Sequence, residues 1–410
     1  MNSYLIAILV FIIGAYVLDL TADFLNISHI SKEIPAEFEG VYAPESYEKS
    51  QCYLKENTWF HLIQSTLFLI GIVTIILIGG FNLLDTVVRG FGFGSIITGL
   101  CFLWCLLIFS QIAGLPFSIY HTFVIEKKYD FNRTTVKTFI LDLIKGFVLS
   151  MIIGGLAFGA VLWFFEIAGS FAWVWCWLFI SVFQLVLMWL APAVIMPLFN
   201  KFEPLEPGEL KETIESYARE QKFSLKGVYK MDGSRRSTKT NAFFTGFGKF
   251  RRVVLFDTLI EKHSVPELLA VIAHEIGHYK KRHIFKLLIF SIINGGIMFA
   301  VLAYFLNNPG LFQAFKMEQL SIYASLIFFG FLYTPISLII GIVGNILSRG
   351  YEYEADLFAA KTTHDPGSMI HALKTLSVDN LSNLSPHPFK VWLDYSHPPV
   401  LQRIRALSRI

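Results

Sequence analysis

The apolar residues of this chain come in seven long blocks, and blocks of that kind have few places to go. A helix that crosses hydrocarbon needs about 20 mostly apolar residues. Seven segments meet or approach that length: Tyr4–Leu18, Trp59–Gly80, Gly94–Ala113, Gly146–Phe165, Phe171–Met196, Ile284–Leu306 and Ile322–Ile346. Overall the sequence is 54% hydrophobic and 16% charged, whereas a soluble chain carries about 25% charged residues. The expected fold class is therefore mainly α: a multi-span helical membrane protein with a small α/β portion outside the lipid. The first block lacks a basic leader and a clear small-residue cleavage site, so it is expected to be a retained span.

Polar residues inside the blocks, Gln64, Gln184, Asn294 and Asn345, would be costly in lipid. They are expected to face other helices or an aqueous interior. The net charge is only +3, with basic residues scattered beside apolar blocks, so no nucleic-acid partner is expected. Cys52, Cys101, Cys105 and Cys176 form no C-x-x-C pair and read as packing thiols.

Lys and Arg set the orientation. They crowd the link between spans three and four, the segment Phe199–His283 and the C-terminal segment, while the opposite links hold only Arg89 and Lys316. Both large polar segments are therefore expected in the cytoplasm. The chain then divides into spans one to five (1–198), a cytoplasmic segment (199–283), spans six and seven (284–346) and a cytoplasmic C-terminal segment (347–410). In the first polar segment, Glu209–Lys222 reads as a helix. Val228–Met231, Ala242–Phe247 and Arg252–Phe256 read as strands, the last two joined by a turn at Gly246, Gly248 and Lys249. Ser264-Val-Pro-Glu267 is a capping box that opens a further helix. After Gly350 a separate helix is expected over Tyr351–Thr362, with another near His371–Leu376.

The capped helix carries His274-Glu-Ile-Gly-His278, an H-E-x-x-H sequence. One helical turn puts both histidines on one side, where they can grip a zinc ion, with Glu275 placed to take a proton from water. Gly277 leaves room for a close neighbour. A third ligand must come from elsewhere. His283 follows five residues after His278; on a continuing helix it rotates away from the metal and reads as interfacial. Glu352 and Glu354 are two residues apart and face nearly opposite ways. Only Glu352 shares a face with Asp356, so this pair could supply a ligand and a carboxylate for a ligand histidine. That favours Glu352 and leaves Glu354 solvated.

Seven motifs in order resemble the type I CAAX prenyl proteases: Glu126–Thr134, Pro197–Phe202, Asn241–Phe247, Val254–Thr258, His274–His278, Ser348–Asp356 and Tyr395–Pro399. The resemblance implies a zinc endopeptidase with one Zn2+ per chain and seven helices around a chamber. It implies Glu352 as third ligand, Asp356 as the carboxylate orienting a ligand histidine, and His397 as a group steadying the tetrahedral intermediate. Asn241 and Phe243 would lie in an edge strand that binds substrate, and Arg403 could bind a substrate carboxylate. From the residues alone, His397 could instead be a cap before Pro398, Asn241 a turn residue and Arg403 a structural ion-pair partner. The implied partners are membrane lipid and a peptide or protein substrate, C-terminally prenylated in the CAAX case.

A short link at Asn307–Leu320 and the lack of a terminal dilysine signal point to a compact bacterial version in the inner membrane. A eukaryotic member would be expected in the endoplasmic reticulum. A bacterial member would lack prenylated CAAX partners and would serve as a quality-control protease. An intramembrane site-2-type protease would need the H-E-x-x-H inside a span, yet Tyr279-Lys-Lys-Arg-His283 follows it directly. A transporter would need ionisable groups across several spans, and the spans offer few.

Overall fold

A computed structural model describes residues 2–245 and 252–410. Among them, seven helices are long and apolar enough to cross a membrane. Each expected span coincides with one of these to within two residues at the ends of its apolar block, and most of the helices run on beyond the block. The first runs Ser3–Ser28, the second Pro44–Ile78 and the fourth Val136–Ile167. Polar ends can continue a helix into water because the backbone bonds are made within the segment. Pro44 starts the second helix, a position where its missing N–H costs nothing. The third, Ser95–Tyr120, passes through Pro116 into a π-helical turn at His121–Ile125. The fifth, Ala172–Leu190, ends in a second π turn that contains Pro192. The sixth is His283–Phe305.

The seventh departs most from expectation. It is one unbroken helix, Ile322–Thr363, of 42 residues. No separate helix begins after Gly350, and the boundary expected at 347 falls inside it. A single glycine lowers helix propensity by about 1 kcal/mol without ending a helix that packing holds. At 1.5 Å per residue it is about 63 Å long, twice the hydrocarbon thickness. Its C-terminal half therefore projects out of the lipid and carries Glu352 and Asp356 with it.

Outside the spans, four short strands form one sheet in the order β1 (Phe202–Pro204), β2 (Gly227–Met231), β4 (Arg252–Phe256), β3 (Ala242–Thr245). β1 pairs with β2 antiparallel, β2 with β4 parallel, and β3 with β4 antiparallel, Phe243 opposite Val254. The expected antiparallel pairing of the last two strands is present; the turn between them lies outside the described residues. β1 is additional: it is three residues long and too short to show a period of two. One apolar cluster joins the sheet (Val228, Val253, Leu255), the helix Glu209–Glu220 (Ile214, Tyr217), and the H-E-x-x-H helix (Leu268, Ile272, Ile276). The end of the long helix (Ala359, Ala360) and the C-terminal helix Val400–Leu407 (Leu401, Ile404) close it.

Two of the four polar groups expected within the spans bond to neighbouring elements. Gln184 Nε2 donates to Ser291 Oγ at 3.2 Å, and Asn345 Nδ2 to the Leu393 carbonyl at 3.0 Å. Gln64 lines a cavity of about 420 Å³ with Asn57, His61, Ser118 and His121. All four cysteines are free.

Candidate metal centre

The H-E-x-x-H helix, Val265–Lys280, starts as its sequence dictates: the Ser264 N–H donates to Glu267 Oε2 at 2.8 Å, closing the capping box. The helix packs on the projecting half of the long helix at its smallest residues. A Cβ added at Gly277 would stand 3.2 Å from the backbone of Ala355 and 3.1 Å from Phe358 Cδ1. A side chain at this position would force its neighbours to give by a few tenths of an ångström, and the close approach brings the acidic face of one helix onto the histidines of the other.

Ligand atoms of His274, His278 and Glu352 lie within 4.8 Å of one another. The two Nε2 atoms are 3.1 Å apart. Glu352 Oε2 is 3.5 Å from His274 Nε2, and its Oε1 is 3.3 Å from His278 Nε2. Ligands about 2.0–2.1 Å from a tetrahedral zinc stand roughly 3.3–3.4 Å from each other, so the spacing suits one ion. Chemistry agrees with spacing. Asp356 Oδ1 lies 2.8 Å from His274 Nδ1. With a proton on that nitrogen, the facing Nε2 offers a lone pair. Burial pushes the His274 ring toward neutrality, yet Asp356 and Glu352 more than offset it and raise the pKa to about 9. A set of buried acceptors that draws a proton this strongly is one that favours a cation. The residues fit a metal.

Glu275 lies within electrostatic reach of this set. Burial pushes its carboxyl above the ordinary range, against the pull of both histidines. His397 is exposed on its other sides, but its Nε2 comes within 3.3 Å of Glu352 Oε1. Arg403 is buried: Nε and Nη2 donate to the two oxygens of Asp356 at 2.8 and 2.6 Å, and Nη1 lies 3.3 Å from Glu352 Oε2. Of the two readings of Arg403, this is the ion-pair arrangement, and both forks of the guanidinium are spent on it.

Comparison with known proteins gives the family. Residues 24–201 match the model of the CAAX prenyl protease N-terminal region with five membrane helices, and 204–410 match peptidase family M48. The CAAX prenyl protease 1 homolog of Arabidopsis thaliana is 34% identical over 97% of this chain and 96% of its own. CAAX prenyl protease 1 of Saccharomyces cerevisiae is 33% identical over 92% of this chain and 89% of its own. The crystal structure of S. mikatae Ste24p superposes with a TM-score of 0.94 at 30% identity, covering 99% of each chain. The chain belongs to peptidase family M48. It is a multi-pass membrane metalloendopeptidase.

Within this M48 site, one expectation fails. His283 does not rotate away from the metal face. The H-E-x-x-H helix ends at Lys280, and Arg282 adopts φ 58°, so the next helix starts in a new direction. His283 is thereby buried with its Nδ1 3.1 Å from His278 Nδ1. Glu354 is exposed, as expected, and in addition its Oε2 lies 3.1 Å from His283 Nε2. The only sequence signal was the polar run Lys280-Lys-Arg282, where the helix breaks before the sixth span begins.

Asn241 is exposed; its Oδ1 accepts the Ala242 N–H at 2.8 Å and its carbonyl accepts the Phe256 N–H at 3.1 Å. It leads into β3, whose outer edge has no strand partner among the described residues. Phe243 meets the Phe256 ring edge-on at 6.3 Å. The Glu126–Thr134 motif braces this region. Glu126 bonds Tyr53 and pairs with Lys239 Nζ at 3.0 Å, and the Arg133 N–H donates to the Arg236 carbonyl at 3.0 Å. Arg236 in turn grips Asp142 of the fourth span with two bonds, at 2.7 and 3.0 Å.

Proposed function

We propose that this M48 enzyme is a zinc endopeptidase that cleaves near the C-terminus of CAAX-type, prenylated substrates, working at the His274, His278 and Glu352 site. The convergence of these three groups beside Glu275 is the observation that carries the reading. The printed activity of its relatives supports the substrate class. His274, His278 and Glu352 would hold a zinc ion, which when bound would supply Lewis acidity and a more acidic water.

Glu275 takes a proton from the attacking water and returns it to the leaving amine. Its burial-raised pKa brings it nearer the working pH, where a general base is most effective. His397 stands at the open side of Glu352 and donates to the developing oxyanion, worth about 3 kcal/mol if it acts as other such donors do. Asp356 holds His274, and Arg403 holds Asp356 and Glu352 in place. The substrate lies extended on the free edge of β3 and pairs main chain to main chain, with Asn241 and Phe243 flanking it. The seven helices surround an aqueous chamber that admits the lipidated end, and Gln64 and His121 in the 420 Å³ cavity support a wetted interior. The excess of Lys and Arg on one side supports a cytoplasmic active site. The host is the inner membrane in a bacterium or the endoplasmic reticulum in a eukaryote.

Purified enzyme given a farnesylated CAAX peptide and its unprenylated twin tests the reading. Cleavage of the farnesylated peptide with a higher kcat/KM is expected. Equal turnover of both would move the reading to a quality-control protease without prenyl specificity.

A further inference from the structure

His274 has an obvious anchor in Asp356. His278 faces Glu352 with its Nε2, but among the described residues no carboxylate pairs with its Nδ1, and a metal-ligating histidine nearly always gives its second N–H to some acceptor. What stands at that nitrogen is another imidazole: His278 Nδ1 and His283 Nδ1 are 3.1 Å apart. Beyond it, His283 Nε2 is 3.1 Å from Glu354 Oε2. The His283 ring is fixed from the side as well. It stacks on Tyr351 at 4.3 Å with an 11° interplanar angle, and Lys286 lies over the far ring at 4.8 Å from its centroid.

We propose that His283 and Glu354 form a relay that positions His278 for the metal, resting on the ligand assignment above. Proton placement follows from one end. A carboxylate only accepts, so Glu354 requires the His283 proton on Nε2. A neutral imidazole carries one proton, which leaves His283 Nδ1 as an acceptor. His278 must then donate from its own Nδ1, and its Nε2 is left with a lone pair facing His274 and Glu352. The carboxylate thus selects one tautomer in each of two rings in turn. The two ligand histidines are oriented by different devices: a direct, buried Asp356 for His274, and a two-step chain ending at a half-exposed Glu354 for His278. Both devices hang on one helix, since Tyr351, Glu352, Glu354 and Asp356 are neighbours on Ile322–Thr363.

The test uses the full chain in detergent. Zinc affinity is measured by competition with a chromophoric chelator, and the melting temperature of the metal-free protein is recorded beside it. His283→Phe, which keeps an aromatic ring on Tyr351 but removes both nitrogens, is expected to weaken zinc binding about 10–100-fold. Glu354→Ala is expected to weaken it in the same direction, and His283→Asn to recover part of the loss, because its Oδ1 can accept where Nδ1 did. The metal-free melting temperature of Glu354→Ala should stay near the parent's, since that residue is half-exposed. Should His283→Phe fail to fold, Glu354→Ala decides alone. His278→Ala is the control. If it loses zinc while His283→Phe and Glu354→Ala bind as tightly as the parent, the relay is wrong and the ligand assignment stands. If His278→Ala keeps its zinc, the ligand assignment fails and the relay with it.

Discussion

The membrane half and the metal junction are built on opposite terms. No span has more than 17% of its most apolar window buried within the protein, because lipid takes the place of a core. Large side chains such as Ile152, Val182 and Ile297 stand open to it. At the junction, His274, Glu352, Asp356 and His283 are all under a tenth exposed. There the polar side chains pair with one another, and a methyl group added at Gly277 would crowd Ala355. The lesson is that the spans supply a stage, tolerant in detail, while the candidate metal centre rests on a few residues of two crossing helices.

That contrast can be broken from several sides. The largest effect is expected for Glu352→Ala, which should lose the bound metal and all peptide cleavage together, as read by metal analysis and an activity assay. Glu275→Gln should keep one metal per chain yet lower kcat by about 10²–10⁴, the usual worth of a positioned general base. Normal turnover in that variant would remove Glu275 from the mechanism. Arg403→Ala leaves Asp356 and Glu352 buried without their cation, a loss of about 3–5 kcal/mol, measurable as a fall in melting temperature. Arg403→Lys should rescue little, since one ammonium cannot replace the two-pronged grip on Asp356. Gly277→Ala pushes on the Ala355 backbone and should cost about 1–3 kcal/mol by overpacking. At the small end, Val182→Ala faces lipid and should shift stability by no more than about 0.5 kcal/mol. A loss there as large as that of Gly277→Ala would erase the distinction between the two regions.

Much of this was legible in the sequence because the signals are local. Apolar blocks of about 20 residues name the spans, and Ser264 to Glu267 names the start of the H-E-x-x-H helix. The i, i+4 spacing puts Glu352 and Asp356 on one face whatever lies between. The unread parts depend on chain direction and distant partners. Nothing near Gly350 tells whether the helix continues; it does because Arg349 is held by the Val391 carbonyl at 3.0 Å and Ala355 by Gly277. The fate of His283 turns on one backbone angle at Arg282, a non-glycine residue in the left-handed region. A helix-period argument assumes continuity and so sends His283 the wrong way. Glu354 then looked idle because its partner had been misplaced. Arg403 illustrates a third case: the residue type allowed either a substrate or a structural role, and only the positions of Asp356 and Glu352 separate them.

The central claim is that one zinc ion sits between His274, His278 and Glu352. X-ray absorption at the zinc edge of the purified, zinc-loaded enzyme tests it directly. Two imidazole nitrogens at about 2.0–2.1 Å and carboxylate oxygen at about 2.0–2.2 Å are predicted, with the nitrogen shell lost in His274→Ala/His278→Ala. A sulfur shell, or a spectrum unchanged by that double substitution, would contradict the account.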